Sequence, residues 1–274
     1  GPSPGTDGST ASEDHDRTTT ALPGAQASMI SQVEAANPRT VVYLQTVGSV
    51  DVRSFQATSP AVLWSSYLGQ RQGPAIANVL LGSVNPSGHL PFTWYTDDSQ
   101  LPSITDYAIR PSQSAPGRTY MYYTGTPSFS FGHGLGYSGF RFSDLKVAKA
   151  SVGASDTISA TATVTNTGDV TGTATPQLYA TTPFASAADE RPAKRLLAFD
   201  QVVVKPGQSV EVHFSAPASQ LAFLDEATQT MKVDQGSYGL ELAASASDVR
   251  DQTSVKITGE LGRVPTTVSV RPVE

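Results

Sequence analysis

The stretch Thr40-Val-Val-Tyr-Leu-Gln-Thr-Val47 is mostly apolar, a pattern typical of a parallel strand buried on both faces of a sheet. Before it, residues 24–36 carry apolar side chains at helical spacing. After it, residues 61–66 predict a second strand and residues 75–81 a second helix. Because strand and helix alternate, residues 25–95 predict part of an α/β layer sandwich with a mostly parallel sheet.

From Asp144 onward the pattern changes to short strands separated by turns. Residues 159–166 alternate between small polar and apolar side chains with a period of two, and turn sequences such as Lys205-Pro-Gly-Gln208 follow. Further strands are predicted over residues 175–180, 196–204, 210–214, 231–233 and 238–243. This spacing predicts an all-β sandwich of the fibronectin type III or immunoglobulin kind. We therefore expect two domains: an α/β sandwich over 1–143, lacking its N-terminal strand, and a β-sandwich over 144–274.

The composition restricts the classes of partner. The chain has 274 residues and a formal net charge of -6 without a basic run, so a nucleic-acid partner is not expected. No apolar stretch approaches the ~20 residues of a membrane span, and the absence of cysteine excludes disulfides and thiolate chemistry. Abundant Ala, Thr, Ser and Gly with little Lys and Glu suggest a secreted protein. The loop-like start suggests a fragment.

Five ionisable side chains stand together at Glu13-Asp14-His15-Asp16-Arg17, although charged residues make up only 15% of the sequence. Adjacent acids disfavour each other's ionised form, so at least one carboxyl there can have a raised pKa and donate a proton. That is the chemistry of a general acid. Two other interpretations stay open from these residues alone: a solvated loop, or acids that favour a helix N-terminus.

Two glycine motifs match catalytic patterns only formally. Gly1-Pro-Ser-Pro-Gly5 has the spacing of a nucleophile elbow but lacks the strand before it and the helix after it. Gly134-Leu-Gly-Tyr-Ser-Gly139 has the spacing of a dinucleotide-binding loop, yet no helix pattern follows, which favours a turn at the domain edge. A nucleotide-binding domain is therefore not expected.

Neither a metal nor a cofactor is expected. The histidines at 15, 89, 133 and 213 lie far apart in sequence and none has metal-ligand spacing. Glu13, His15 and Asp16 form a linear run that is a weak alternative for a cation. The aromatic run over 120–131 has two interpretations, packing at the domain junction or stacking against sugar rings, and packing is favoured.

Two long stretches resemble the C-terminal half of glycoside hydrolase family 3. The first, over 67–93, contains Gly-Gln, Ala-Ile-Ala and Asn-Pro-Ser-Gly-His-Leu-Pro, and the second, over 130–140, contains Phe-Gly-His-Gly-Leu-Gly-Tyr. The sandwich that follows, with Asn166-Thr-Gly-Asp and Lys205-Pro-Gly, is similar to the family's fibronectin type III-like domain. Because the order and spacing of these motifs are also similar, the resemblance covers about residues 5–245.

The resemblance implies a retaining, exo-acting β-glycosidase, most similar to β-glucosidases and β-xylosidases. The family's acid/base Glu stands in Glu-Gly-x-Asp-Arg before Leu-Pro-Gly, a pattern that Glu13 to Arg17 and Leu22-Pro23-Gly24 match. Glu13 is thus the implied general acid/base, with Asp16 and Arg17 as its supporting pair. Asp14 replaces the motif's Gly, so it either raises the pKa of Glu13 or points outward without effect.

The same resemblance implies that the chain is catalytically incomplete. The family's nucleophile is an Asp on an N-terminal TIM-like barrel, and no segment of this sequence matches it. We therefore expect the barrel, from the same precursor or from a separate chain, as the partner, and a β-glycoside as the substrate. The alternative is a non-catalytic module that binds carbohydrate or protein.

Overall fold

The computed structural model describes residues 17–103, 105–113, 115–182 and 191–262. The described chain divides into two compact units. The α/β unit comprises residues up to Val84 together with Leu90–Thr119 and Tyr123–Phe131. The β unit comprises Asn85–His89, Tyr120–Tyr122 and the residues from Gly132 onward. The domain limit predicted between residues 143 and 144 stays a prediction.

The α/β unit contains a two-stranded parallel sheet and two helices of more than one turn. Its elements are α1 (Gln26–Ala36), β1 (Val41–Gln45), β2 (Ala61–Ser65) and α2 (Gln72–Leu80), followed by a 3₁₀ turn at Asp98–Gln100. A short helix, α3 (Thr119–Tyr122), comes next in the chain. The helices and the parallel pairing of β1 with β2 confirm the strand and helix alternation predicted from the sequence.

Burial of β1 differs from the prediction, because in the described structure only one face of the strand is buried. Val42 and Leu44 are each 6% exposed and pack with Phe55 and Trp94, whereas Val41 is 43% exposed. Trp94 is held in this core by a hydrogen bond from its Nε1 to the carbonyl of Val50, at 2.8 Å. The apolar run therefore indicated a strand correctly but overstated its burial.

The β unit is a sandwich of short strands. The strands are β3 (Phe140–Val147), β4 (Ser151–Gly153), β5 (Thr157–Asn166), β6 (Gly172–Ala174), β7 (Gln177–Thr181), β8 (Lys194–Phe199), β9 (Val202–Val204), β10 (Ser209–Pro217), β11 (Phe223–Asp225), β12 (Thr230–Lys232), β13 (Gly236–Ser245) and β14 (Asp248–Thr258). The two main sheets have the orders β10-β5-β3 and β4-β14-β13-β7-β8, and their pairings are antiparallel except that β4 runs parallel to β14. Alternate residues of β5 and β10 are buried, which gives the two-residue period seen in the sequence. The core of the unit contains Ile158, Leu178 and Leu240, each at most 1% exposed.

The single strand predicted over 196–204 was wrong, because the structure forms two strands there. β8 pairs with β7, whereas β9 pairs with β6 in a separate two-stranded ladder. Asp200 and Gln201 lie between them, and the Asp200 carboxylate accepts a hydrogen bond from the Gln201 N–H at 2.8 Å. This local bond accompanies the change of the chain from one ladder to the other.

Candidate functional site

The segment that follows the acidic cluster is fixed to the α/β unit by Asp98. Oδ1 of Asp98 accepts hydrogen bonds from the backbone N–H of Thr20 at 2.6 Å and from its hydroxyl at 2.7 Å. Oδ2 accepts a hydrogen bond from the Thr19 hydroxyl at 2.5 Å. Three donors on two consecutive residues thus meet one carboxylate. We call residues 17–20 the loop stem.

The charge of Asp98 is stabilised by these contacts. Partial desolvation by itself would raise the pKa of this carboxyl, but the hydrogen bonds from Thr19 and Thr20 and the charge of Arg17 outweigh it, so the pKa is lowered. Thr20 is 8% exposed, which places the contact at the edge of the core. Asp98 is therefore an ionised hydrogen-bond acceptor, and its three hydrogen bonds hold the loop stem in one position.

Arg17 is the one residue of the predicted catalytic set that the structure describes. Its Nε and Nη2 donate to the carbonyl of Thr19 at 3.0 and 2.9 Å, which closes the stem on itself. Burial lowers the pKa of the Arg17 guanidinium, and the negative charge of Asp98 partly offsets this effect. Glu13, Asp14 and Asp16 lie outside the described residues.

Further charged residues, centred on Arg53, are connected to the loop stem. Arg53 contacts Asp97 at 2.7 Å through Nη1 and Asp51 at 2.6 Å through Nη2. The hydrogen bond from Arg53 lowers the pKa of Asp51. The backbone N–H of Asp51 in turn donates to the carbonyl of Thr20 at 2.8 Å. The stem is thus connected both to the 3₁₀ turn at Asp98 and to the chain after β1.

The position of the stem is chemically informative. Asp51 lies a few residues beyond the carboxyl end of β1, and in open α/β sheets ligands bind outside the carboxyl ends of parallel strands. A rigid stem at this place can hold an adjacent loop residue for proton transfer. This anchor was not predicted, because Asp98 follows Thr20 by 78 positions in the chain. The adjacent acids Asp97 and Asp98 are the local signal that could have indicated it.

In the β unit, the structure brings together the two distant motifs that carry the family resemblance. Nδ2 of Asn85 donates to the Ser138 hydroxyl at 2.9 Å, and its Oδ1 accepts from the Tyr137 N–H at 2.7 Å. A Cβ on Gly134 would lie 2.3 Å from the carbonyl oxygen of Gly88. These glycines therefore permit a close approach of the two backbone segments. Residues 134–139 form neither helix nor strand, which agrees with the turn predicted there.

Two of the four histidines, far apart in sequence, line one cavity of the β unit. His89 and His133 both contribute to its wall. Burial lowers the pKa of each imidazole, and for His133 the neighbouring His89 lowers it further. Among the described residues, no group of three or more His, Asp or Glu side chains is arranged to hold a metal ion.

Several aromatic residues of the run over 120–131 take part in ring packing. Phe129 packs edge-on against Trp94 with ring centroids 5.9 Å apart, and Tyr123 packs against Tyr95 at 5.0 Å, all within the α/β unit. Tyr122 is 8% exposed. These contacts support the packing interpretation. In the part of the chain that the structure describes, no helix is long and apolar enough to cross a membrane.

The two units define a class of protein: an α/β domain with a charged stem beside its parallel sheet, followed by a fibronectin type III-like β-sandwich. Residues 4–137 match the model of the glycosyl hydrolase family 3 C-terminal domain. Residues 174–246 match that of the fibronectin type III-like domain. The chain therefore belongs to glycoside hydrolase family 3, of which it carries these two domains, as the sequence motifs predicted.

Three relatives illustrate this membership. The chain is 32% identical over 256 residues to an exo-α-(1→6)-L-arabinopyranosidase of Bifidobacterium longum, covering 91% of this chain and 33% of that protein. It is 35% identical to a β-glucosidase of Rhizobium radiobacter, covering 86% of this chain and 30% of that protein. The crystal structure of a Kluyveromyces marxianus β-glucosidase in complex with glucose superposes with a TM-score of 0.79 at 27% identity, covering 92% of this chain and 31% of that one. The chain thus spans about a third of the length of the relatives it matches.

Proposed function

We propose that this chain supplies the general acid/base of a retaining, exo-acting β-glycosidase, with Glu13 as the acid/base. The nucleophile, in this proposal, is an Asp on an N-terminal TIM-like barrel that is the partner of the chain. The observation that carries the proposal is the anchoring of Thr19 and Thr20 by Asp98 beside the parallel sheet. Family membership supports the reaction type.

The mechanism needs two carboxyls about 5–5.5 Å apart on opposite sides of the scissile bond. Glu13 protonates the glycosidic oxygen while the barrel Asp attacks the anomeric carbon, which releases the leaving group and forms a glycosyl-enzyme. Glu13, now a carboxylate, then removes a proton from water as that water attacks the anomeric carbon. The sugar leaves with its configuration retained, and both carboxyls return to their starting states.

The loop stem explains how one residue could serve in both steps. Four peptide units span at most about 14 Å, so a fixed Arg17 limits the region that Glu13 can reach. We propose that Asp16 and Arg17 order this part of the loop, and that Asp14 raises the pKa of Glu13 through like-charge repulsion. A raised pKa keeps the acid protonated until the glycosidic oxygen needs its proton.

For the substrate we propose a non-reducing terminal β-D-glucoside, with an oligosaccharide or a small aglycone on the other side of the bond. The two named relatives are a β-glucosidase and an exo-α-(1→6)-L-arabinopyranosidase, so the test compares hydrolysis of a glucoside with hydrolysis of an L-arabinopyranoside. We also propose a secreted location, which the abundance of Ala, Thr, Ser and Gly with little Lys and Glu supports.

The test uses the whole enzyme that contains this chain and its barrel, with Glu13→Gln as the variant. We expect kcat/KM for cellobiose to fall by about 10²–10⁴-fold, since general acid catalysis contributes that much. With p-nitrophenyl β-glucoside the glycosylation step should suffer less, because this leaving group needs little protonation. Azide should restore turnover and give a β-glucosyl azide, because azide needs no general base.

Glu211→Gln is the matched control, since it makes the same change on an exposed side chain of β10, 64% accessible. Equal activity of the Glu13→Gln and Glu211→Gln enzymes would refute the assignment of Glu13. Faster hydrolysis of p-nitrophenyl α-L-arabinopyranoside than of the β-glucoside would refute the proposed sugar. Turnover of no glycoside by the whole protein, together with polysaccharide binding, would favour the non-catalytic alternative.

A further inference from the structure

Every polar group of Thr20 has a partner on another segment of the α/β unit. Its backbone N–H and its hydroxyl donate to Oδ1 of Asp98, and its carbonyl accepts from the N–H of Asp51 at 2.8 Å. Thr20 is 8% exposed, so these bonds are partly shielded from water. A residue held through its backbone donor, its backbone acceptor and its side chain cannot turn without breaking a hydrogen bond. Thr20 is therefore the fixed point of the loop stem.

The 3₁₀ turn that carries Asp98 is closed by hydrogen bonds on both sides of this residue. Oδ1 of Asp97 accepts from the backbone N–H of Ser99 at 2.9 Å and from its hydroxyl at 2.5 Å. The backbone N–H of Gln100 donates to the carbonyl of Asp97 at 3.3 Å. The backbone at Asp98 is thus held in one conformation before its carboxylate meets the stem.

Gln100 connects this turn to the rest of the α/β unit. Its Oε1 accepts from the Thr96 N–H at 3.1 Å and from the Tyr123 hydroxyl at 2.5 Å. The ring of Tyr123 packs edge-on against the ring of Tyr95, with centroids 5.0 Å apart. The turn is therefore supported by an aromatic pair as well as by its own hydrogen bonds.

The two neighbouring acids contact a different group. The carboxylates of Asp51 and Asp97 both pair with Arg53, whose side chain is 54% accessible, so water and salt screen these contacts. Among the described residues, Asp98 is the acid whose carboxylate accepts hydrogen bonds from the loop stem. The position of the stem therefore depends more on Asp98 than on the charges around it.

We propose that Asp98 is a positioning residue for the acid/base of the reaction, acting through Thr19 and Thr20 and not on the substrate. This inference rests on the proposed function, in which Glu13 is the acid/base. Glu13 precedes Arg17 by four positions, so a displaced stem would carry Glu13 with it. Proton transfer needs the two heavy atoms about 2.6–3.2 Å apart, and a misplacement of about 1 Å can cost 10²-fold in rate.

The test uses the whole enzyme that contains this chain and its barrel, with Asp98→Asn as the variant. We expect kcat for cellobiose to fall by about 10–10²-fold with little change in KM, because the substrate contacts stay intact. The glycosylation rate with p-nitrophenyl β-glucoside should fall much less, because this leaving group needs little protonation. Azide should accelerate turnover of that substrate by the variant, since azide needs no general base.

The ratio of the two activities separates positioning from a merely structural role. A smaller folded fraction lowers both activities equally and leaves their ratio unchanged, whereas a misplaced acid/base lowers the cellobiose activity selectively. Asp200→Asn, the same change in the β unit, should have the ratio of the unchanged enzyme. An unchanged ratio in Asp98→Asn, or a raised KM with an unchanged kcat, would overturn the proposal.

Glu13→Gln, measured in parallel, shows which proposal has failed. Loss of acid/base catalysis in Glu13→Gln with an unchanged ratio in Asp98→Asn would overturn the positioning role and leave the proposed function standing. Full activity of Glu13→Gln would refute the proposed function, whatever Asp98→Asn shows.

Thr20→Val is the second variant if Asp98→Asn does not fold. It removes the hydroxyl donor but keeps the backbone N–H and the branched shape of the side chain, so the ratio should shift in the same direction by a smaller factor. Thr163→Val, the same change on β5, should leave the ratio unchanged. If only Thr20→Val folds, an unchanged ratio in that variant overturns the proposal.

Discussion

Asp98 and Thr20 are joined by two hydrogen bonds to the same carboxylate oxygen, at 2.6 and 2.7 Å, although 78 positions separate them. One donor is the backbone N–H of Thr20 and the other is its hydroxyl. Because the backbone donor fixes the chain itself, the bond positions the loop stem more firmly than a contact between two long side chains would.

Asp98→Asn should loosen the loop stem and lower the stability of the α/β unit by about 1–2 kcal/mol. The amide keeps the shape but replaces one acceptor oxygen by a donor, so it cannot accept from Thr19 and Thr20 together. Both tryptophans, Trp64 and Trp94, lie in this unit, so their fluorescence during urea unfolding reports the change. Asp200→Asn is the control, because its amide oxygen can still accept the local hydrogen bond from the Gln201 N–H in the β unit.

The pH dependence of the same unit follows from the lowered pKa of Asp98. A carboxyl with a depressed folded-state pKa stabilises the fold above its unfolded value of 3.8, and this stabilisation is lost as the pH falls through the folded value. Acid titration followed by tryptophan fluorescence should therefore show a steeper loss below pH 4 in the unchanged chain than in Asp98→Asn. Parallel curves would contradict this origin of the acid sensitivity.

Arg53→Gln should lower the stability of the α/β unit much less than Asp98→Asn does, although it breaks two ion pairs. The Arg53 side chain is 54% accessible, so water and salt screen its contacts with Asp51 and Asp97. Urea unfolding at low and at 1 M salt should show that the difference between the variant and the unchanged chain disappears at high salt. A loss as large as that of Asp98→Asn would mean that Arg53 has a structural role beyond exposed pairing.

Gly134→Ala should destabilise the β unit by at least about 2 kcal/mol. Its new Cβ would stand 2.3 Å from the backbone oxygen of Gly88, and backbone cannot move aside as easily as a flexible side chain. Gly73→Ala, in α2 with open space around its Cβ, should instead stabilise the α/β unit by about 0.4–1 kcal/mol. Calorimetric melting of both variants tests whether the melting temperature falls for Gly134→Ala and rises for Gly73→Ala.

Tyr238→Phe should reduce the alkaline sensitivity of the β unit. Burial, with a contribution from Asp234, raises the pKa of Tyr238 to about 12 from 10.0. A raised folded-state pKa gives stability that is complete below the unfolded value and is lost as the pH rises from 10 through about 12. Far-ultraviolet circular dichroism should show a shallower loss in the variant, whereas Tyr107→Phe, at an 87% exposed position, should leave the curve unchanged.

The strands β3 and β14 were not predicted from the sequence, and the structure shows why. β14 alternates little between apolar and polar residues, since only Val255 and Ile257 of its eleven residues are buried. In β3 the pairing with β5 shifts between Ser143 and Lys146, and Asp144 has a φ of 59° in the left-handed region. Such an irregularity interrupts the two-residue period on which a strand prediction depends.

The sequence by itself determined the alternation of helices and strands in the first half of the chain, the β-sandwich in the second, and membership of a glycosidase family. These features depend on local periodicity and on motifs that are continuous in the chain. Only the tertiary structure decided that Asp98 holds Thr20, that Asn85 meets Ser138, and that His89 shares a cavity with His133. Each of these pairs is separated by more than forty positions, and contacts at such separations are set by the packing of the fold, which no local pattern encodes.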